Sequence, residues 1–229
     1  MFGRIVVSAL FTGCLTGIIA GFLQWWFVQP VLLHAELYES GALTHISGIA
    51  SNAHPEINHF QPIRDVLSFL FNMLIYTGYA LLLIVTMTTR QIQTQKDIPL
   101  NHGILWGIAG FFALHMAPAI SLPPEVPGVA SADIQLRQIW WAATVIITAA
   151  SLWIIAFNLN LSRFLIGGIM LLLPHFIGAP ETDIFTGPAP TEIGALFASR
   201  TIGISLISWA VLGILSVIFL TYETKRTED

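Results

Sequence analysis

Charge is what this sequence has least of. Nine Lys and Arg with thirteen Asp and Glu make up 10% of the 229 residues, where a soluble domain carries about a quarter. So few charges cannot solvate an ordinary globular surface, and a soluble domain is excluded. The net charge of −4 offers nothing to nucleic acid. Cysteine is nearly absent as well. Cys14 stands alone, so there is neither a disulfide framework nor a thiolate metal cluster. No Walker loop appears, which leaves no ATP-driven engine in the chain. No C-x-x-C, H-E-x-x-H or G-x-S-x-G appears either, so zinc-protease and serine-hydrolase chemistry has no support and no enzyme is expected.

What is present is hydrophobic: 55% of residues, with a mean hydropathy of +0.76. Runs free of Asp, Glu, Lys and Arg cover Ile5–Leu33, Val66–Thr89, Ile98–Pro124, Gln138–Ser162, Phe164–Pro180 and Thr201–Tyr222. Each is near or above the roughly 20 residues a helix needs to cross about 30 Å of hydrocarbon, the fifth being shortest. A helix can span because it satisfies its own backbone hydrogen bonds, which lipid cannot do. The expected fold is therefore all-α, a polytopic membrane helical bundle forming one integral domain over residues 1–229. Its six spans lie near 5–29, 66–88, 102–120, 138–158, 163–180 and 201–221, with an outer loop over 30–63. The first apolar run follows Arg4 but is too long for a signal-peptide core and has no A-x-A site closing it, so it is expected to stay.

Loop charges set the orientation. With the N-terminus in the cytoplasm, the inner segments hold Arg4, Arg90, Lys96, Arg163, Lys225 and Arg226, and the outer ones Arg64, Arg137 and Arg200. The positive-inside rule favours this arrangement, with both termini cytoplasmic. Trp25, Trp26, Trp140 and Trp141 then fall near the outer interface.

The chain reads as three hairpins of the same orientation. Each shows a histidine near its outer end, a loop with proline or acid, and an arginine at re-entry. The first has Pro30, His34, Glu36 and Arg64. The second has His115, Pro118, Glu125 and Arg137, and the third has Pro174, His175, Glu192 and Arg200. Parallel repeats are a known transporter construction. Any helical hairpin can also collect prolines outside and an arginine anchor at its interface. Ala9, Gly13, Gly17 and Gly21 place small residues on one helix face, a signal of close helix packing. Gly103 and Gly107, with Ala109, Ala113 and Ala117, do something similar in the third span.

His115 and His175 lie within apolar runs, where an ionisable group needs a partner or a watery cavity. Imidazole can stay neutral and offer a ring nitrogen to a transition metal. The plainer role is packing, with a hydrogen bond to a neighbouring helix. His34 and Glu36 share the outer level, and Glu125 sits in a stiff loop between prolines that aims its carboxylate. His45, His54, Glu56 and His59 offer a looser loop set, and His102 reads as an inner-interface residue. Arg64, Arg137 and Arg200 read as structural, Arg137 pairing with Glu125 or Asp133 and Arg200 with Glu192.

Three strings carry a resemblance: His115-Met116-Ala117-Pro118 leading to Pro123-Pro124-Glu125-Val126-Pro127-Gly128, then Arg137-Gln138-Ile139-Trp140-Trp141, then Pro174-His175-Phe176-Ile177-Gly178-Ala179-Pro180. Together with the glycine-rich opening span they resemble the CbtA family of cobalt transporter subunits, over nearly the whole chain. The resemblance implies uptake of Co²⁺ as the transported ion, linked to cobalamin biosynthesis. It also implies a small single-span partner, CbtB, with a histidine-rich end. It implies five spans where the charge-free runs give six, the difference falling on 164–180. The resulting expectation is a permease subunit capturing a divalent metal at an outward site of His34, His115, His175 and Glu125, with no organic cofactor. Two other readings stay open: a haem-binding electron-transfer subunit using His115 and His175, and a non-transporting membrane scaffold.

Overall fold

The computed structural model describes residues 2–44, 60–157 and 160–226. Its helices are α1 (Phe2–Leu23), α2 (Gln29–Glu39), α3 (Pro62–Thr94), α4 (His102–Phe111), α5 (Ala117–Ala119), α6 (Ile134–Phe157), α7 (Leu161–Ile177) and α8 (Thr191–Arg226). Two π-helical turns interrupt the series, Gln24–Val28 between α1 and α2 and Phe112–Met116 between α4 and α5. No strand occurs among the described residues. Among the described residues, four stretches are long and apolar enough to cross a bilayer: Phe2–Glu39, Pro62–Thr94, Ile134–Phe157 and Thr191–Glu223. α7 is a shorter apolar helix of 17 residues, about 25 Å long at the α-helical rise.

The contacts divide the chain into two compact units. One is built from α1, α3, α4 and α8 from Gly203 onward. The other holds α2, α5, α6, α7, the second π turn and α8 up to Ile202.

In the first unit, the four-residue glycine spacing of α1 does what it promised. A Cβ on Gly13 or Gly17 would fall inside the backbone of Thr77 or Met73, and one on Gly21 would lie 2.7 Å from the Phe69 ring. Partners that decrease in number as α1 ascends make α1 and α3 antiparallel. α4 uses Gly103 and Gly107 the same way against α8, at Gly213 and the Trp209 carbonyl. Trp209, 1% exposed, wedges its indole against Gly110 and lies 5.1 Å from Tyr79. The exterior is apolar, with Leu10, Phe11, Leu70, Phe71 and Leu74 all exposed, while Ser8, Thr12, Thr16, Ser208 and Ser216 are fully buried. That inversion suits a solvent of lipid tails, where small and hydroxylated residues gather between helices. α3 begins with Pro62 in its first turn, and the buried Asp65 accepts from the Gln61 N–H at 3.1 Å and pairs with Arg64 at 2.9 Å.

The second unit is organised around α6 and α7, which also pack antiparallel. Gly167 meets Ile155 and the Ser151 carbonyl, and Trp140 meets His175. Asp133 caps α6, accepting from the Gln135 and Leu136 amides at 2.9 and 3.1 Å. Asn160 caps α7 through the Ser162 amide and hydroxyl. The two proline-rich loops are tied together by the Ala130 N–H donating to the Thr186 carbonyl at 2.8 Å. Gly128 turns beside Pro188 at φ +79, in the left-handed region that glycine adopts without steric cost.

Candidate functional site

His34, His115, Glu125 and His175 all belong to the second unit. They do not form one cage: among the described residues no three His, Cys, Asp or Glu side chains are placed to hold a metal ion together. His34 lies half-buried on α2 with its ring 5.6 Å from Tyr38. His115 lies half-buried in the second π turn. Glu125 is exposed and ion-paired, accepting from Arg137 Nη2 at 2.8 Å. His45, His54, Glu56 and His59 lie outside the described residues, and His102 is exposed at the start of α4.

His175 has the most developed surroundings. It follows Pro174, which has no N–H to donate to the carbonyl four residues earlier and so loosens the last turn of α7. Gly178 at φ +86 then ends the helix, its N–H donating to the Pro174 carbonyl at 3.1 Å. The ring of His175 lies edge-on to Trp140 of α6, with centroids 6.3 Å apart. Nδ1 is 3.4 Å from Ser121 Oγ. Nε2 is buried and has no hydrogen-bond partner in the protein, and the same holds for Nε1 of Trp140, a residue only 8% exposed. Two unsatisfied polar atoms on neighbouring rings make this a place where a polar guest would find contacts. When Nδ1–H donates to Ser121, Nε2 presents its lone pair, the tautomer that metal-bound histidines adopt.

Arg64, Arg137 and Arg200 each contact a partner within the protein, though not all as expected. Arg137 pairs with Glu125, one of its two anticipated partners, and Arg64 with Asp65. Arg200 does not pair with Glu192. Its Nη1 donates to the Phe27 carbonyl at 2.9 Å, while Glu192 accepts from Thr191. Phe27 lies in the first π turn, where the widened hydrogen-bond pattern leaves a carbonyl open to an outside donor. Ser121 and Trp140 are the site residues that sequence reasoning missed. A serine before a Pro-Pro pair carries no signal of its own, and the Trp pair read as an interface anchor.

The family model for CbtA, described as a probable cobalt transporter subunit, matches residues 2–221. No curated protein and no solved structure matches the chain. The chain belongs to the CbtA family, and with its long apolar helices it is a membrane protein of cobalt transport.

Proposed function

We propose that this CbtA-family chain is the permease subunit that carries Co²⁺ inward across the bacterial inner membrane, supplying cobalamin biosynthesis. The observation that carries the reading is His175: a buried imidazole with Nδ1 held by Ser121 and Nε2 without a protein partner. A transition metal suits such a ligand: when Nδ1–H donates to the Ser121 hydroxyl, Nε2 is left with the lone pair that a metal takes. His34, His115 and Glu125 complete the outward capture surface. With no three of these groups on one ion, the metal passes between them and imidazoles of a small histidine-rich partner subunit. Imidazole and carboxylate suit Co²⁺, but intrinsic affinity favours Ni²⁺ and Cu²⁺, so selection rests on geometry and supply. The membrane potential supplies the drive, about 5 kcal/mol per 100 mV for a dication.

Cells expressing the chain with its partner should accumulate labelled Co²⁺ above cells lacking it, and more Co²⁺ than Ni²⁺ from an equimolar mixture. Equal accumulation with and without the chain would end the transport reading. A Soret band in the purified protein would move the assignment to haem.

The same proposal places six spans in three hairpins of a single membrane domain, with both termini in the cytoplasm. In a Cys14→Ser background, a cysteine at Ser131 should react with an impermeant maleimide in intact cells, and one at Thr227 should not. The reverse pattern would invert the topology.

A further inference from the structure

Hydroxyl side chains in apolar helices usually bond back to a carbonyl one turn earlier. Thr77, Thr89, Thr94, Thr144, Ser151 and Ser208 do so, at 2.7–2.9 Å. In the unit built on α1, α3, α4 and the end of α8, three fully buried residues depart from this habit. Thr12, Thr16 and Ser216 are each 0% exposed, and their hydroxyl oxygens have no partner in the protein.

Their placement is ordered. Ser8, Thr12 and Thr16 recur every four residues, on one face of α1. That face meets α8, where Ser8 Oγ donates to the Phe219 carbonyl at 3.2 Å and the Phe11 and Phe219 rings stack at 5.6 Å. Ser216 lies one turn from Phe219, as Thr12 lies one turn from Ser8. A turn beyond Ser8 and Ser216 in the other direction, Arg4 and Leu220 line a cavity of about 330 Å³, together with Thr88, Gln91, Lys96 and Asp97. Thr88 Oγ1 is likewise buried without a partner. Ser8, whose hydroxyl is taken by the Phe219 carbonyl, lies on α1 between Arg4 at this cavity and the unpartnered Thr12 and Thr16.

A buried hydroxyl left dry is costly, and a water with two to four polar neighbours removes the cost. We infer that Thr12, Thr16 and Ser216 hold water, forming a hydrated track between α1 and α8 that carries a small hydrated cation to the cavity. Neutral hydroxyls suit a track rather than a binding cage: they solvate a passing ion without holding it. The route deepens the transport reading and rests on it, whereas the water does not.

Single cysteines at Thr12, Thr16, Ser216 and Leu15, placed in the Cys14→Ser chain, separate the two claims. Leu15 is 43% exposed on the apolar exterior of α1. A thiol reacts as thiolate and needs water to ionise, so a small cationic methanethiosulfonate should modify the three track positions at least about tenfold faster than Leu15→Cys. Modification there should also block Co²⁺ uptake. Track positions no faster than Leu15→Cys, while Ser131→Cys reacts readily, would overturn the hydrated track. Undiminished uptake by a fully modified Thr12→Cys or Ser216→Cys protein would overturn the route. The labelling needs no cargo, so wild-type protein without uptake would remove the transport reading and leave the water test standing.

Discussion

His175→Ala is expected to lower Co²⁺ uptake by about ten- to a hundredfold, the range seen when metal-site support is lost, while the protein stays inserted and abundant. The reason lies in the two ring nitrogens. Nδ1 is engaged by Ser121 and Nε2 by nothing in the protein, so removing the ring breaks one long hydrogen bond and takes away the nitrogen offered to the metal. A packing histidine would behave differently. Its loss would empty a site beside Trp140 and lower stability, and His175→Phe would restore both volume and edge contact. For a metal ligand His175→Phe restores the packing and leaves uptake low. Ser121→Ala should weaken uptake less, because the imidazole remains but its orientation is no longer fixed. Uptake at wild-type level by His175→Ala, measured at equal abundance, would leave the metal role without support.

The largest effect on the fold is expected from a single methyl group. Gly17→Ala places a Cβ inside the backbone of Met73, and Gly107→Ala places one at the Trp209 carbonyl. Backbone atoms cannot rotate aside as a side chain can, so the helices must separate. Overpacking of this kind costs about 1–3 kcal/mol, or more where only backbone can yield. Folded protein recovered as a monodisperse species in mild detergent should fall sharply for both variants, with a lowered Tm in what remains. Gly78→Ala on α3 is the control, since nothing lies within 4 Å of its added Cβ, and alanine is a better helix former than glycine. Equal recovery of Gly17→Ala and Gly78→Ala would refute the close approach of α1 and α3.

Much of this was legible in the residues, for physical reasons that also explain the remainder. Charge-free length announces a membrane helix because lipid imposes one requirement on every span. Gly13, Gly17 and Gly21 announce a helix contact because only their spacing leaves a groove for another backbone. Chemistry narrowed the partner of Arg137 to Glu125 or Asp133, and the structure places it on Glu125 while Asp133 caps α6. Which helix a glycine face meets is a different matter. Nothing in Gly103 and Gly107 names α8 as the neighbour, since that choice is made by packing between segments about a hundred residues apart. Arg200 was assigned the nearest acid in sequence, yet it takes a backbone carbonyl, a partner invisible in any list of side chains. The Ser8, Thr12, Thr16 stripe was readable at the same four-residue spacing as the glycines. It went unremarked because hydroxyls in apolar helices usually satisfy themselves, and only the structure reveals which ones do not.

The two π turns bear on how the length of this chain can change. Each accommodates one residue more than an α turn and hides the surplus within its own five residues. A count of 3.6 residues per turn taken through either one is therefore out by one residue, about 100°. The same arithmetic makes Gln24–Val28 and Phe112–Met116 the points at which a codon can be lost by relaxing a π turn to α. A deletion between Gly13 and Gly21 would swing the upstream glycines away from α3. A deletion within Gln24–Val28 removes the surplus residue instead and leaves the Gly13, Gly17 and Gly21 contacts with α3 as they are.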